Sequence, residues 1–320
     1  MSGIKIVGFG HYVPETTIYN DDFKNIIDTS DEWISSRTGI KERRVAINET
    51  TTELAYKAAL MALLESKVEK DEIGVVITAT MSPDSFTPST SCKLLDKLGI
   101  KQAMAFDISA ACSGFVYALN IASGLLAQNN KKYAIVIGAE CLSELVDYSD
   151  RTTCVLFGDG AGAVILERTD ELGYFYSMAK TDKDNILYAN ALKANDVFLD
   201  NATRDYHLRM DGKKVYLFAL DAVNDAISNV LELSGLKASD IDLFIPHQAN
   251  ERIIMSICKH FDLDFNKFYI NLNKYGNTSA ASIAIALSEA YHNKKFSKGQ
   301  TILLVGFGAG LTWASTIIKV

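Results

Sequence analysis

The stretch Lys57–Thr80, KAALMALLESKVEKDEIGVVITAT, passes from helical periodicity through a short acidic turn into an apolar strand. Asp225–Asn250, DAISNVLELSGLKASDIDLFIPHQAN, has the same shape. Pairing Ile73 with Ile241 sets an offset of 168 residues (241 − 73). Without a gap, that offset also lays Ala134-Ile135-Val136-Ile137-Gly138 on Ile302-Leu303-Leu304-Val305-Gly306, and a helical pattern over 113–128 on one over 281–296. Two matches in one register point to an internal duplication. The strands are nearly continuous apolar runs, as in sheets covered by helices on both faces. The expected fold is α/β, with two halves, 1–170 and 171–320, related by a pseudo-twofold axis and stacked as helix, sheet, helix, sheet, helix.

Composition narrows the function classes. The 320 residues are 48% hydrophobic and 22% charged, with only four prolines and no Pro/Gly/Ser-rich linker, so the halves should pack tightly. A net charge of −7 argues against a nucleic-acid binder, which needs an excess of Lys and Arg. The start, Met1-Ser2-Gly3-Ile4-Lys5-Ile6-Val7-Gly8-Phe9-Gly10, reads as a strand and glycine turn rather than a signal peptide. No membrane-spanning run is expected. Five cysteines, at 92, 112, 141, 154 and 258, lack CxxC spacing, so neither a disulfide framework nor a metal site is expected. Reduced cytoplasmic thiols are the simplest reading.

Cys112 ends the small-residue run Ser109-Ala110-Ala111 and opens a helical pattern. A thiol at a helix N-terminus has its thiolate favoured by the helix dipole and free N–H groups, which is one way to build a nucleophile. The alternative is one more buried small hydrophobe. The duplication places Ala280 opposite Cys112 in the second half, with Asn277 just before that helix and His247 at the end of strand 241–245. The pseudo-twofold axis therefore brings three groups distant in sequence toward one crevice at strand C-terminal ends. Taken alone, His247 reads more readily as a structural histidine, and Asn277 as a helix cap or turn residue. Gly306-Phe307-Gly308-Ala309-Gly310 precedes a strand-like run, so it is read as a tight hairpin that brings backbone close to a ligand and offers an N–H to an oxyanion. Leu156–Val164 is read as a similar small-residue hairpin, with Asp159 structural.

Five motifs in this order resemble β-ketoacyl-[acyl-carrier-protein] synthase III. They are Asp107 with Ala111-Cys112-Ser113-Gly114-Phe115, then Asp150-Arg151-Thr152-Thr153 running on to Phe157-Gly158-Asp159-Gly160-Ala161-Gly162, then Pro246-His247-Gln248-Ala249-Asn250, then Gly276-Asn277-Thr278-Ser279-Ala280-Ala281-Ser282, and finally the glycine turn before Thr312-Trp313. The resemblance spans essentially the whole chain and implies the thiolase fold, a homodimer, no cofactor beyond the substrates, and acyl-CoA and acyl carrier protein as partners. It implies that Cys112 takes the starter acyl group and that His247 and Asn277 stabilise the enolate formed when malonyl thioester loses CO2. Backbone N–H groups at Cys112 and Ala309 would form the oxyanion hole. Trp33 and Arg151 would sandwich the adenine of CoA, Arg37 would meet its phosphates and Asn250 its pantetheine arm. Arg252, Lys214 and Lys259 would dock the carrier protein, and the loop carrying Phe86 and Thr87 would shape the acyl pocket across the dimer interface.

The chain departs from the family pattern at four places. Ala309 replaces a frequent glycine, Leu217 a frequent docking lysine, His260 a basic residue and Thr87 a phenylalanine. Two other functions remain: transfer of the acyl group to a different acceptor on the same scaffold, and a non-enzymatic subunit that shapes a partner's pocket. Retention of Cys112 argues against the latter. The absence of a second cysteine in the Gly306–Gly310 turn argues against a degradative thiolase.

Overall fold

Residues 3–169, 175–190 and 205–320 are described by a computed structural model. The expected boundary between residues 170 and 171 lies outside the described residues. The first sheet uses β1 (Gly3–Tyr12), β2 (Ile73–Ala79), β3 (Met104–Ile108), β4 (Tyr133–Glu140) and β5 (Gly160–Thr169), ordered β1-β5-β4-β2-β3. The second uses β6 (Phe175–Asp184), β7 (Leu243–Pro246), β8 (Thr301–Gly308) and β9 (Gly310–Lys319), ordered β7-β8-β9-β6. In each sheet a parallel pair (β2 with β4, β7 with β8) is followed by two antiparallel neighbours. A single parallel bridge, Phe244 to Phe268, stands beside β7 where β3 stands beside β2. The two sheets thus repeat one topology.

The main helices are α1 (Asp31–Thr38), α2 (Thr51–Ser66), α3 (Thr90–Leu98), α4 (Gly114–Gln128), α5 (Gly212–Ser234), α6 (Glu251–His260) and α7 (Ala281–His292). Helix α2 begins in a capping box: Glu53 N–H donates to Thr50 Oγ1 and Thr50 N–H to the Glu53 carboxylate. Its alanine-rich face, Ala55, Ala58, Ala59 and Ala62, packs with α3 on the outer face of the first sheet. Helices α4 and α7 lie between the sheets, where Phe115, Leu119, Ile283 and Leu287 share one core with Ile77, Val136, Ile302 and Leu304. Helices α5 and α6 cover the outer face of the second sheet through Val223, Ile227, Ile254 and Ile257. This is the expected five-layer stack.

Two sequence readings change. The stretch 111–128 is long and apolar enough to cross a membrane, contrary to the expectation of no such run; it comprises a short 3₁₀ turn and α4, whose place between two sheets accounts for its apolarity. Leu156–Val164 is not a hairpin: residues 151–156 form turns, Phe157 bridges Asn277, and Gly160 starts β5.

Candidate active site

The duplication builds the site from two equivalent corners. Cys112 sits in a single 3₁₀ turn, Ala111–Ser113, immediately before α4. Ala111 has φ +45° and so does Ser279, which precedes α7. Each corner is backed by a glycine from the other half. A methyl group on Gly138 would lie 2.2 Å from Ala280 O, and one on Gly306 would lie 3.1 Å from Cys112 O. At Gly308 it would lie 2.7 Å from Cys112 N. The glycines before the β8–β9 turn therefore let the strand lie close against the Cys112 backbone, while Gly308 and Ala309 also line the cavity. Ser113 Oγ and Thr312 Oγ1, 2.7 Å apart, pin the same turn to β9.

Cys112, His247, Asn277 and Ala309 line one cavity of about 110 Å³, together with Met81, Leu142, Phe157, Leu208, Phe307 and other mainly apolar residues. His247 is the first residue beyond β7, held there by its N–H to Val305 O at 2.8 Å. Its neighbour Gln248 is structural: Nε2 donates to Pro246 O and Oε1 accepts from Asn271 N–H. His247 Nδ1 lies 2.7 Å from Ser282 Oγ, and the ring meets Phe307 edge to face at 5.1 Å. Asn277 is clamped through its backbone, donating to Leu156 O and accepting from Gly158 N–H. Its side-chain Oδ1 accepts from Ser279 N–H at 2.9 Å, which turns Nδ2, a pure donor, to other partners. Asn277 does cap a turn, but α7 starts at Ala281 with no side-chain cap.

Burial governs the electrostatics. It pushes the Cys112 thiol up to about 12, against a lowering contribution from the Ser279 hydroxyl and with the nearby Glu140 pushing further upward. The expectation that a helix start would favour a resting thiolate is therefore corrected: the residue rests as a thiol, because desolvation penalises the charged form. Burial also pulls His247 down to about 3, so its imidazole is neutral at working pH. Glu140, fully buried at the end of β4, is raised to about 7 by desolvation, despite accepting from Ser82 Oγ at 2.6 Å and Met81 N–H at 3.1 Å. The cavity is thus lined by uncharged donors and a neutral thiol. Among the described residues no group of three or more His, Cys, Asp or Glu is arranged to hold a metal ion.

The other expected residues separate into groups. Trp33, Arg37 and Arg151 gather at the surface rather than lining the cavity. Arg37 lies 4.6 Å and Arg151 4.9 Å from the Trp33 ring centroid. Arg151, tied to Asp28 O at 2.8 Å, rests directly on the indole, so a base entering between them must displace it. Asn250 links this cluster to the cavity it lines: Nδ2 donates to Arg37 O at 3.0 Å while Oδ1 caps α6. Arg252 ties α6 to α1 through Ser36 O, Lys259 stands exposed on the last turn of α6, and Lys214 pairs with Asp211 on the first turn of α5. Phe86 is 77% exposed, and neither it nor Thr87 lines the cavity of this chain.

Sequence reasoning passed over Glu140 and Arg43, and took in Ser282 only as the last residue of the Gly276–Ser282 motif. A lone carboxylate ending the apolar run of β4 was the available signal for Glu140. Arg43, buried and bonded to Asn20 Oδ1 and Val155 O, packs behind Gly158 and Gly276 and so supports the Asn277 corner; nothing in its local sequence marks it.

The comparisons with known proteins match this architecture. Residues 106–183 match the family model 3-oxoacyl-[acyl-carrier-protein] synthase III, and residues 231–320 match the model of that family's C-terminal part. A β-ketoacyl-[acyl-carrier-protein] synthase III of Clostridium acetobutylicum is 46% identical over 100% of this chain and 99% of the relative. The chain belongs to the β-ketoacyl-[acyl-carrier-protein] synthase III family. The crystal structure of the Aquifex aeolicus synthase III superposes with a TM-score of 0.93 at 43% identity, covering 99% of this chain and 100% of that one. The priming β-ketosynthase of the R1128 polyketide pathway also gives 0.93, at 32% identity, covering 99% of this chain and 96% of that one. The thiolase fold implied by the sequence resemblance is thus the fold of this synthase III.

Proposed function

We propose that this synthase III primes acyl-chain synthesis by joining an acyl-CoA starter to a malonyl thioester carried on acyl carrier protein. Cys112 attacks the acyl-CoA thioester; its acyl–sulfur bond forms as the acyl–CoA bond breaks, and the thiol proton leaves with CoA. Malonyl carrier then binds, its thioester carbonyl facing His247 and Asn277. Loss of CO2 leaves an enolate held by their two neutral donors. Its carbon attacks the acyl-Cys112 carbonyl, whose oxyanion faces the backbone N–H groups of Cys112 and Ala309, and the sulfur leaves and regains a proton. Trp33, Arg37, Arg151 and Asn250 hold CoA, while Arg252, Lys214 and Lys259 meet the acidic carrier. No metal or redox cofactor enters this scheme.

The observation that supports this reading best is the convergence of Cys112 from one half with His247 and Asn277 from the other on a single, mainly apolar cavity. The enzyme works as a cytoplasmic homodimer. Support for the dimer comes from β3, which among the described residues is an edge strand paired with β2 alone, and whose flank carries half-buried Phe106 and Ile108 and exposed Met104. A second copy along that edge would bring Phe86 and Thr87 toward the partner's pocket. Priming of a polyketide-type chain is the second reading, supported by the likeness to the R1128 priming enzyme. The test is reconstitution with acyl-CoA and malonyl carrier. One CoA and one CO2 released per β-ketoacyl carrier formed supports the proposal. Acyl transfer without CO2 release contradicts it.

A further inference from the structure

Enolate stabilisation by His247 requires its proton on Nε2, the ring nitrogen left for the cavity. Nδ1 is occupied by Ser282 Oγ at 2.7 Å. That hydroxyl has a second partner, Gln248 N–H, at 3.5 Å, and no carbonyl acceptor among the described residues. A backbone N–H can only donate, so Ser282 Oγ accepts there and its own proton is free to point at Nδ1. Burial keeps the imidazole neutral, so it carries one proton. With Nδ1 accepting, that proton is on Nε2. Phe307, edge to face with the ring, and the bond from His247 N–H to Val305 O hold the geometry in which this choice is made.

We propose that Ser282 is a positioning residue that fixes the Nε2–H tautomer of His247, so that the imidazole presents a donor and not a lone pair to the malonyl thioester carbonyl. The proposal rests on the proposed function for the role of that donor, but the tautomer is a property of the free enzyme. Ser282 is the second residue of α7, so the helix that carries the Asn277 corner also orients the histidine from the other side of the cavity. In the opposite tautomer the Nε2 lone pair would meet the carbonyl oxygen, and the developing enolate would lose one of its two donors.

The first test is the nitrogen-15 imidazole spectrum of uniformly histidine-labelled wild-type enzyme, without substrates. Resonances of a neutral Nε2–H ring for His247 are expected; a neutral Nδ1–H ring overturns the proposal. The second compares Ser282→Ala and Ser282→Thr. In Ser282→Ala, CoA release on acylation should stay within about 2-fold of wild type while condensation falls about 10- to 100-fold, less than complete removal of a catalytic donor costs. Ser282→Thr, which keeps the hydroxyl, should restore most of the rate. Equal loss in both half-reactions, or no loss in condensation, overturns the proposal. If Ser282→Ala does not fold, the wild-type spectrum and the threonine variant still decide. Failure of the underlying reading has a different signature: no β-ketoacyl product from the wild-type enzyme.

Discussion

Ala111 and Ser279, 168 residues apart (279 − 111), both adopt φ +45°, one immediately before Cys112 and the other just ahead of α7. Left-handed backbone at a non-glycine residue costs roughly 1 kcal/mol or more, and such conformations cluster at functional corners. Here it occurs at the same point of both halves. One corner exposes a thiol to the cavity, and the other sets the Asn277 amide through Ser279 N–H. In the proposed reaction the duplicated fold thus supplies the nucleophile from one copy and a donor from the other with a single backbone device.

The proposed division of labour between Cys112 on one side and His247 with Asn277 on the other predicts separable defects. His247→Ala and Asn277→Ala should keep acylation by acyl-CoA and lose condensation by about 10²- to 10³-fold each, the cost of removing a preorganised donor. Single-turnover measurement of CoA release beside β-ketoacyl formation checks this. Full malonyl turnover by either variant would remove that residue from the proposed role.

Contact of β8 with the nucleophile's backbone predicts a steric defect. In Gly308→Ala the added methyl would meet Cys112 N at 2.7 Å and displace the turn. Acylation should fall more than about 10-fold, with a loss of about 1–3 kcal/mol in stability from overpacking. Denaturant unfolding alongside the acylation rate tests both. Normal acylation in this variant would show that the contact does not fix the thiol.

The buried carboxyl of Glu140 predicts a pH-dependent stability. Its folded value, raised from 4.5 to about 7 by burial, means that the native state binds its proton more tightly than the unfolded chain. The stabilisation from that proton is fully present below pH 4.5 and is lost as pH rises through about 7. Glu140→Gln cannot ionise, so its stability relative to wild type should improve over this window, by up to about 3 kcal/mol. Parallel denaturant titrations at pH 4.5 and 8 test the sign. A constant difference between the two proteins would contradict it.

The stacking of Arg151 on Trp33 makes the proposed CoA site testable. Trp33→Ala should raise the KM for acyl-CoA about 10-fold or more, from lost stacking and cation–π contact, with little change in the rate of condensation from preformed acyl-enzyme. Unchanged KM would remove the indole from the CoA site.

How much of this was legible in the sequence follows from the physics of each feature. The duplication was, because buried strands at a constant offset leave an apolar pattern that needs no tertiary information. The meeting of Cys112, His247 and Asn277 followed from that symmetry. The resting state of Cys112 did not, because a helix start is a local feature while burial comes from both halves and outweighs it. The φ of Ala111 and Ser279 was equally hidden, since neither alanine nor serine signals left-handed backbone. Gly306 and Gly308 were legible as a place of close approach, but what approaches, the Cys112 turn, lies almost two hundred residues away in the chain. The segment 156–164 misled because its small residues serve the Asn277 corner and a sheet strand rather than a local hairpin.

The central claim is that Cys112 carries the starter acyl group, and intact-protein mass spectrometry with peptide mapping after incubation with a panel of acyl-CoAs tests it most directly. The account predicts one acyl group per chain on the Cys112 peptide, stoichiometric CoA release, and no labelling of Cys112→Ala. Acylation at another residue, or labelling that survives in Cys112→Ala, would contradict it.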